Sequence, residues 1–97
     1  MLFLVTAEAR DSIVGAEVPR LRAGVETAVK RISASGRMQA GGILGARRAA
    51  FFLLEIDSAE ELLTLLGGEI IDNMQVESSP VVSFEDIGKF FAKHPPQ

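Results

Sequence analysis

Two acids and two arginines stand where strand alternation and turn geometry can aim them at a common ligand. Glu55 interrupts the run Ala49–Ser58, AAFFLLEIDS, which is otherwise apolar up to Ile56. Side chains alternate across a strand, so Glu55 shares a face with Phe51 and Leu53 and points away from Phe52, Leu54 and Ile56. Glu77 shares a face with Gln75, opposite Met74 and Val76. A carboxyl group enclosed by apolar side chains keeps its proton to higher pH because burial disfavours the charged form, and it can then shuttle protons near neutrality. Two such groups in different surroundings can divide acid and base roles. The simpler alternatives are a solvated strand end for either residue, or an ion pair of Glu55 with an arginine across a subunit interface.

Arg47 and Arg48, in the tetrapeptide Gly45–Arg48, are suited to bidentate recognition of a substrate carboxylate. Adjacent residues of a tight turn also commonly point in opposite directions into water. Arg37 reads as a cation near a helix C-terminus. His94, the only histidine, precedes Pro95 and Pro96 on a terminal tail. With no cysteine and no second histidine it makes a poor metal site, so no metal is expected. Gly41-Gly42 lacks the strand-then-helix setting and the Lys-Ser/Thr partner of a phosphate loop.

The elements that must position these groups follow from periodicity. Met1–Glu8 is a short apolar strand with two apolar faces. Between Val18 and Ser35, the residues Val18, Leu21, Val25, Ala28, Val29 and Ile32 recur at three- and four-residue spacing, the pattern of an amphipathic helix. Pro19 suits its first turn and Gly36 its C-terminal end. Met38–Leu44 and Ala49–Ile56 are strands joined by a hairpin, with Gly41-Gly42 marking a bulge or a close backbone approach. Ser58 and Glu61 form a capping box for a helix that runs through Leu66 and ends at Gly67-Gly68. Asn73–Ser78 is a fourth strand stopped by Pro80. Ser83 and Asp86 then cap a short helix carrying Phe84, Ile87, Phe90 and Phe91, a stripe that reads as a packing face.

The order β-α-β-β-α-β plus a terminal helix predicts an α+β, ferredoxin-like fold in one domain spanning residues 1–97, with the main helices on one face of a four-stranded antiparallel sheet. Two helices cover one face only. Because alternate residues of Ala49–Ile56 are apolar on both faces, the second face needs its own cover, and a second copy of the sheet would supply it. Two sheets stacked about a two-fold axis make a dimeric α+β barrel. The terminal helix is the other available cover, on its own subunit or a neighbour.

Composition points the same way. The 97 residues are 47% hydrophobic, more apolar material than a monomer this small easily buries, which favours a homodimer or larger homo-oligomer. A net charge of −3 and the absence of Trp and Tyr argue against a nucleic-acid partner and against an acidic membrane surface. Leu2–Val5 is too short for a signal-peptide core, and the lack of cysteine is compatible with a cytoplasmic location.

The element order and several local strings resemble the muconolactone isomerase family of dimeric α+β barrel proteins. The matching strings are Met1–Phe3, Ser35-Gly36-Arg37, AAFFLLEIDSAEELLTLL from Ala49 to Leu66, and MQVESSPV from Met74 to Val81. The resemblance implies proton-transfer isomerisation of a small acid or lactone, in a pocket between helices and sheet, without metal or organic cofactor. It also implies acidic residues at the positions of Glu55 and Glu77. Enzymes of that family place aromatic, histidine and arginine side chains along the first two strands. Here those strands offer Leu4 and the string MQAGGIL, whose polar side chain is Gln39. Glu55 and Glu77 are therefore the expected catalytic pair, with Arg48, Gln39 and Arg47 as substrate contacts and a small apolar or aromatic-derived acid as ligand. The alternative is a non-catalytic dimeric ligand-binding or assembly module of the same fold. Cofactor-independent monooxygenases and haem-handling proteins share the barrel, but the lack of Trp, Tyr and a well-placed His weighs against them.

Overall fold

Alternation and turn chemistry build four strands and three helices in a computed structural model that describes residues 1–96. In chain order these are β1 (Leu2–Ala9), α1 (Glu17–Ala34), β2 (Met38–Leu44), β3 (Ala49–Glu55), α2 (Ala59–Ile71), β4 (Met74–Pro80) and α3 (Phe84–Lys93). The strands form one antiparallel sheet in the order β2-β3-β1-β4. This is the ferredoxin-like α+β arrangement expected from the element order.

The core lies between α1, α2 and one face of the sheet. Phe52, Leu54 and Ile56 are buried there with Val5 and Ala7 of β1, Ala28 and Ile32 of α1, and Leu65, Leu66 and Ile70 of α2. Each fully buried Leu, Ile or Phe contributes roughly 1.5–3 kcal/mol of transfer free energy. The other face carries Leu4, Phe51 and Leu53 in neighbouring positions, since Leu4 pairs with Leu53 and Thr6 with Phe51. Phe51 and Leu53 are half-buried and Leu4 is 40% exposed, so no element of the protomer covers this face. Gly42 pairs with Phe51, and a Cβ there would stand 3.1 Å from the Phe51 ring; the glycine makes room for the phenyl group on that open face.

Capping follows the expected boxes. Ser58 Oγ accepts from the Glu61 amide at 3.1 Å, and Glu61 Oε2 accepts from the Asp57 amide at 3.3 Å. Ser83 Oγ accepts from the Asp86 amide at 3.0 Å. Each serine satisfies one amide that has no partner within its helix; Glu61 completes a reciprocal bond at the first cap, whereas among the described residues Ser83 acts alone at the second.

Most element ends lie within one residue of the sequence reading, and three features differ from it. The second helix does not end at Gly67; it breaks there, with φ 70° and ψ 172°, and resumes to Ile71. Arg31 of α1 fills the break, donating from Nε to the Leu65 carbonyl at 3.0 Å and from Nη2 to the Leu66 carbonyl at 2.9 Å. The same guanidinium binds the Glu69 carboxylate at 3.1 Å through two nitrogens. A glycine pair therefore acts as a bend because a side chain from another helix takes up the carbonyls that the bend releases. The fourth strand runs on to Pro80, which pairs with Phe3. Proline is tolerated because β4 is an edge strand, where one side of the backbone needs no ladder partner. The register irregularity in β2 lies between Met38 and Ala40, at Gln39, rather than at Gly41-Gly42.

The terminal helix α3 buries none of its residues, and Phe84, Phe90 and Phe91 are 95%, 52% and 60% exposed. It stands out as an arm: the radius of gyration is 16.0 Å and the long axis 56 Å, against about 12.5 Å for the radius of a compact chain of this length. Among the described residues, no helix is long and apolar enough to cross a membrane.

Candidate functional site

The periodic face of α1 that packs on the sheet does not reach its edge everywhere, and a cleft of ≈ 380 Å³ opens between α1 and the end of the sheet. Its floor is the helix-side face of the strand ends, with Ala9 of β1, Ala50 of β3, Met74 of β4 and Ile43 of β2. Its wall is Val18, Leu21 and Val25 of α1. The volume is at the small end of the range for small-molecule sites, and the apolar lining with few polar groups is the usual composition of such sites.

Four charged residues border the cleft: Arg22 and Glu26 on α1, and Arg47 and Arg48 in the β2–β3 hairpin. The local balance is cationic. Arg47 donates from Nε to Glu8 Oε2 at 2.9 Å and from Nη2 to the same oxygen. Arg48 donates from Nη2 to the Ile13 carbonyl at 2.9 Å, which ties the hairpin to the segment before α1. Glu26 pairs with Lys30 at 3.3 Å, one turn along the helix. Arg22 makes no side-chain hydrogen bond or ion pair among the described residues.

The arginines expected as substrate contacts therefore line one cleft, and the expected acids stand elsewhere. Glu55 pairs in register with Leu2 and Glu77 with Thr6, so both lie on the open face of the sheet, opposite the cleft. They sit on strands that flank β1, four residues apart along it, which is about 13 Å along the strand and about 10 Å across. Within one protomer they cannot share a proton. Glu55 accepts from the Met1 amino group at 2.7 Å with its side chain 47% exposed. Glu77 is exposed, and Gln39 is exposed at the β2 irregularity. Arg37 pairs with Glu61 at 2.8 Å and Asp57 at 3.5 Å, bracing the start of α2. The His94 ring lies 4.5 Å from that of Phe90 on the arm.

One carboxylate has its acidity clearly altered. The Arg31 hydrogen bond, aided by one from its own backbone amide, holds the Glu69 carboxyl below its ordinary value of 4.5. This belongs to the helix–helix brace and not to the cleft. Among the described residues no group of three or more His, Cys, Asp or Glu side chains is placed to hold a metal ion.

Arg22 and Glu26 were not among the expected site residues. They fall between the apolar positions of α1, where a helix usually meets water, and the one available signal is their place one turn apart beside Leu21 and Val25.

Comparison with known proteins places the fold. A crystal structure of muconolactone isomerase matches with a TM-score of 0.67 at 19% sequence identity, over 86% of this chain and 90% of the isomerase chain. At that identity the likeness is one of architecture, and function has to be argued from the site. No protein-family model matches the chain, and no curated protein matches it.

Proposed function

We propose that the protein is a small-molecule-binding homo-oligomer that holds a compact apolar acid in the cleft between α1 and the sheet, and that it serves proton-transfer isomerisation of such an acid or its lactone. The observation that carries this reading is the ≈ 380 Å³ cleft with an apolar floor and an arginine-rich border. An apolar interior excludes water from the body of a ligand, and the cationic border favours a carboxylate at its mouth. The likeness in fold to muconolactone isomerase supports the choice of reaction class. Glu26 is the one carboxylate among the described residues that line the cleft; exposed and paired with Lys30, it stands at the mouth, and this reading assigns it as the proton carrier within a protomer once that pair opens.

Self-association is proposed from two uncovered surfaces: the open sheet face with Leu4, Phe51 and Leu53, and the apolar side of α3. Face-to-face packing of two sheets would cover the first. Glu55 and Glu77 would then belong to the subunit interface, as an ion-pairing or rim pair. A second reading, a non-catalytic ligand-binding or assembly module, is favoured by one observation: the acids that the resemblance singles out face away from the cleft.

The test is a screen of small aromatic and branched carboxylic acids against protein labelled with ¹³C at the methionine methyls. Acids that occupy the cleft are expected to shift the Met74 signal, which belongs to the cleft floor, and to leave Met38 in place. Glu55→Gln is expected to fold and to keep the same binding. A screen in which no acid moves Met74 removes the cleft as the site, and loss of binding in Glu55→Gln returns that residue to the ligand.

A further inference from the structure

We infer that Arg22, rather than either hairpin arginine, is the residue that anchors the ligand's carboxylate. This rests on the reading of the cleft as a small-molecule site and deepens it. Three guanidinium groups border the cleft, and they differ in how their donors are committed. Arg47 has two of its nitrogens on Glu8, whose negative charge offsets its own. Arg48 has one arm on the Ile13 carbonyl, and that bond joins the hairpin to the chain before α1, so moving it toward a ligand would loosen one edge of the cleft. Arg22 has neither kind of commitment among the described residues.

An uncommitted guanidinium can place two parallel N–H groups on one carboxylate without breaking an existing bond. Arg47 would have to give up a carboxylate to gain one, which leaves little net gain. The position also suits the task. Arg22 is exposed at the border, next to Leu21 and one turn before Val25 and Glu26 on the helix wall, and it lines the same cleft as Ala50 and Met74.

The experiment uses the full chain with labelled methionines and four probes: benzoate and cyclohexanecarboxylate, each against its uncharged amide. In the wild type the acids are expected to bind at least about tenfold more tightly than the amides, the scale of one charge-assisted hydrogen-bonded pair, with Met74 reporting occupancy. Arg22→Gln is expected to erase that preference while leaving amide binding within about twofold, and Arg22→Lys to restore part of it, since a lysine keeps the charge but not the bidentate fork. Arg47→Gln and Arg48→Gln serve as rivals. If either costs the acids more than Arg22→Gln does, or if Arg22→Gln keeps the full acid preference, the assignment to Arg22 is overturned while the cleft reading stands. If neither acids nor amides move Met74 in the wild type, both are overturned.

Discussion

Gly67→Ala should destabilise the protein sharply, while Gly68→Ala, one residue on, should leave it unchanged or more stable. Gly67 has φ 70° and ψ 172°, a backbone region that only glycine occupies at low cost, and forcing another residue into it costs about 1–3 kcal/mol. The new methyl would also strike the Arg31 guanidinium and the Glu69 carboxylate. Displacing Arg31 releases the Leu65 and Leu66 carbonyls that it holds at 3.0 and 2.9 Å, and losing even one such bond adds about 1 kcal/mol. The sum is about 2–4 kcal/mol, which for a domain of this size corresponds to a fall of about 10–20 °C in melting temperature. Gly68 has no positive φ, and its added methyl would approach only the Asp72 carboxylate, at 3.2 Å, the movable end of a side chain. There alanine gains up to about 1 kcal/mol from helix propensity.

The assay is thermal and urea unfolding at one fixed protein concentration, because self-association would make the midpoint concentration-dependent. Arg31→Met is added alone and in the Gly67→Ala background. Its cost should shrink in the double variant, since the alanine has already dislodged the guanidinium. Equal effects of the two alanines, or additive effects of Gly67→Ala and Arg31→Met, would falsify the idea that Arg31 braces a glycine-dependent break.

The brace also has a pH signature. The folded state holds the Glu69 carboxyl below its ordinary value, so its contribution is complete above the unfolded carboxylate pKa, about 4.3, and is lost as pH falls through the folded value. The stability gap between wild type and Glu69→Gln should therefore be flat near neutrality and narrow below about pH 5; a gap that stays constant to pH 3 would contradict the ion pair. On the open face, Leu53→Asp is expected to lower the solution mass to that of a monomer at micromolar concentration, because Leu53 lies on an inner strand beside Leu4. Glu77→Gln, on edge strand β4, is expected to shift association by no more than about 1 kcal/mol, as rim charges do. Sedimentation velocity separates the outcomes, and a wild type that is itself monomeric removes the two-sheet packing.

Much of this architecture is legible in residue spacing, for reasons that can be named. The two faces of β3 separate cleanly because Phe52, Leu54 and Ile56 meet helices while Phe51, Leu53 and Glu55 do not, and a period of two carries that information in seven residues. The Ser58 and Ser83 caps are equally local, since donor and acceptor lie three residues apart. What spacing does not carry is the partner of a distant side chain. Gly67 reads as a stop until Arg31, thirty-six positions earlier, is seen to supply the carbonyl partners. The cleft fails for the same reason. Arg47 and Arg48 are expected at a ligand site and border the cleft, but their commitments to Glu8 and Ile13 depend on a fold that brings three segments together. Arg22 and Glu26 are solvent-facing helix residues in sequence and in structure, and only the fold shows that they also border the cleft.

The two faces of the sheet set separate demands, and this limits how a single site can be assembled. A ligand in the cleft would meet Ala50 and Met74 on the helix side, whereas Glu55 and Glu77 project from the opposite side, on flanking strands. A second copy stacked on the open face would lie beyond that face and could not carry its acids through the sheet to the cleft of its partner. Burying Glu77 in such an interface without a cation would cost several kcal/mol, and the open-face positions beside it and across β1 are Gln75, Ser79, Thr6 and Phe51, none of them basic. In the proposed dimer, the favoured arrangement would therefore be one in which Leu4, Phe51 and Leu53 form the dry centre and β4 stays at a wetted rim. Proton transfer in the cleft, as proposed, would then have to be carried by a group on the helix side, and among the residues that line the cleft that leaves Glu26, one turn from Arg22.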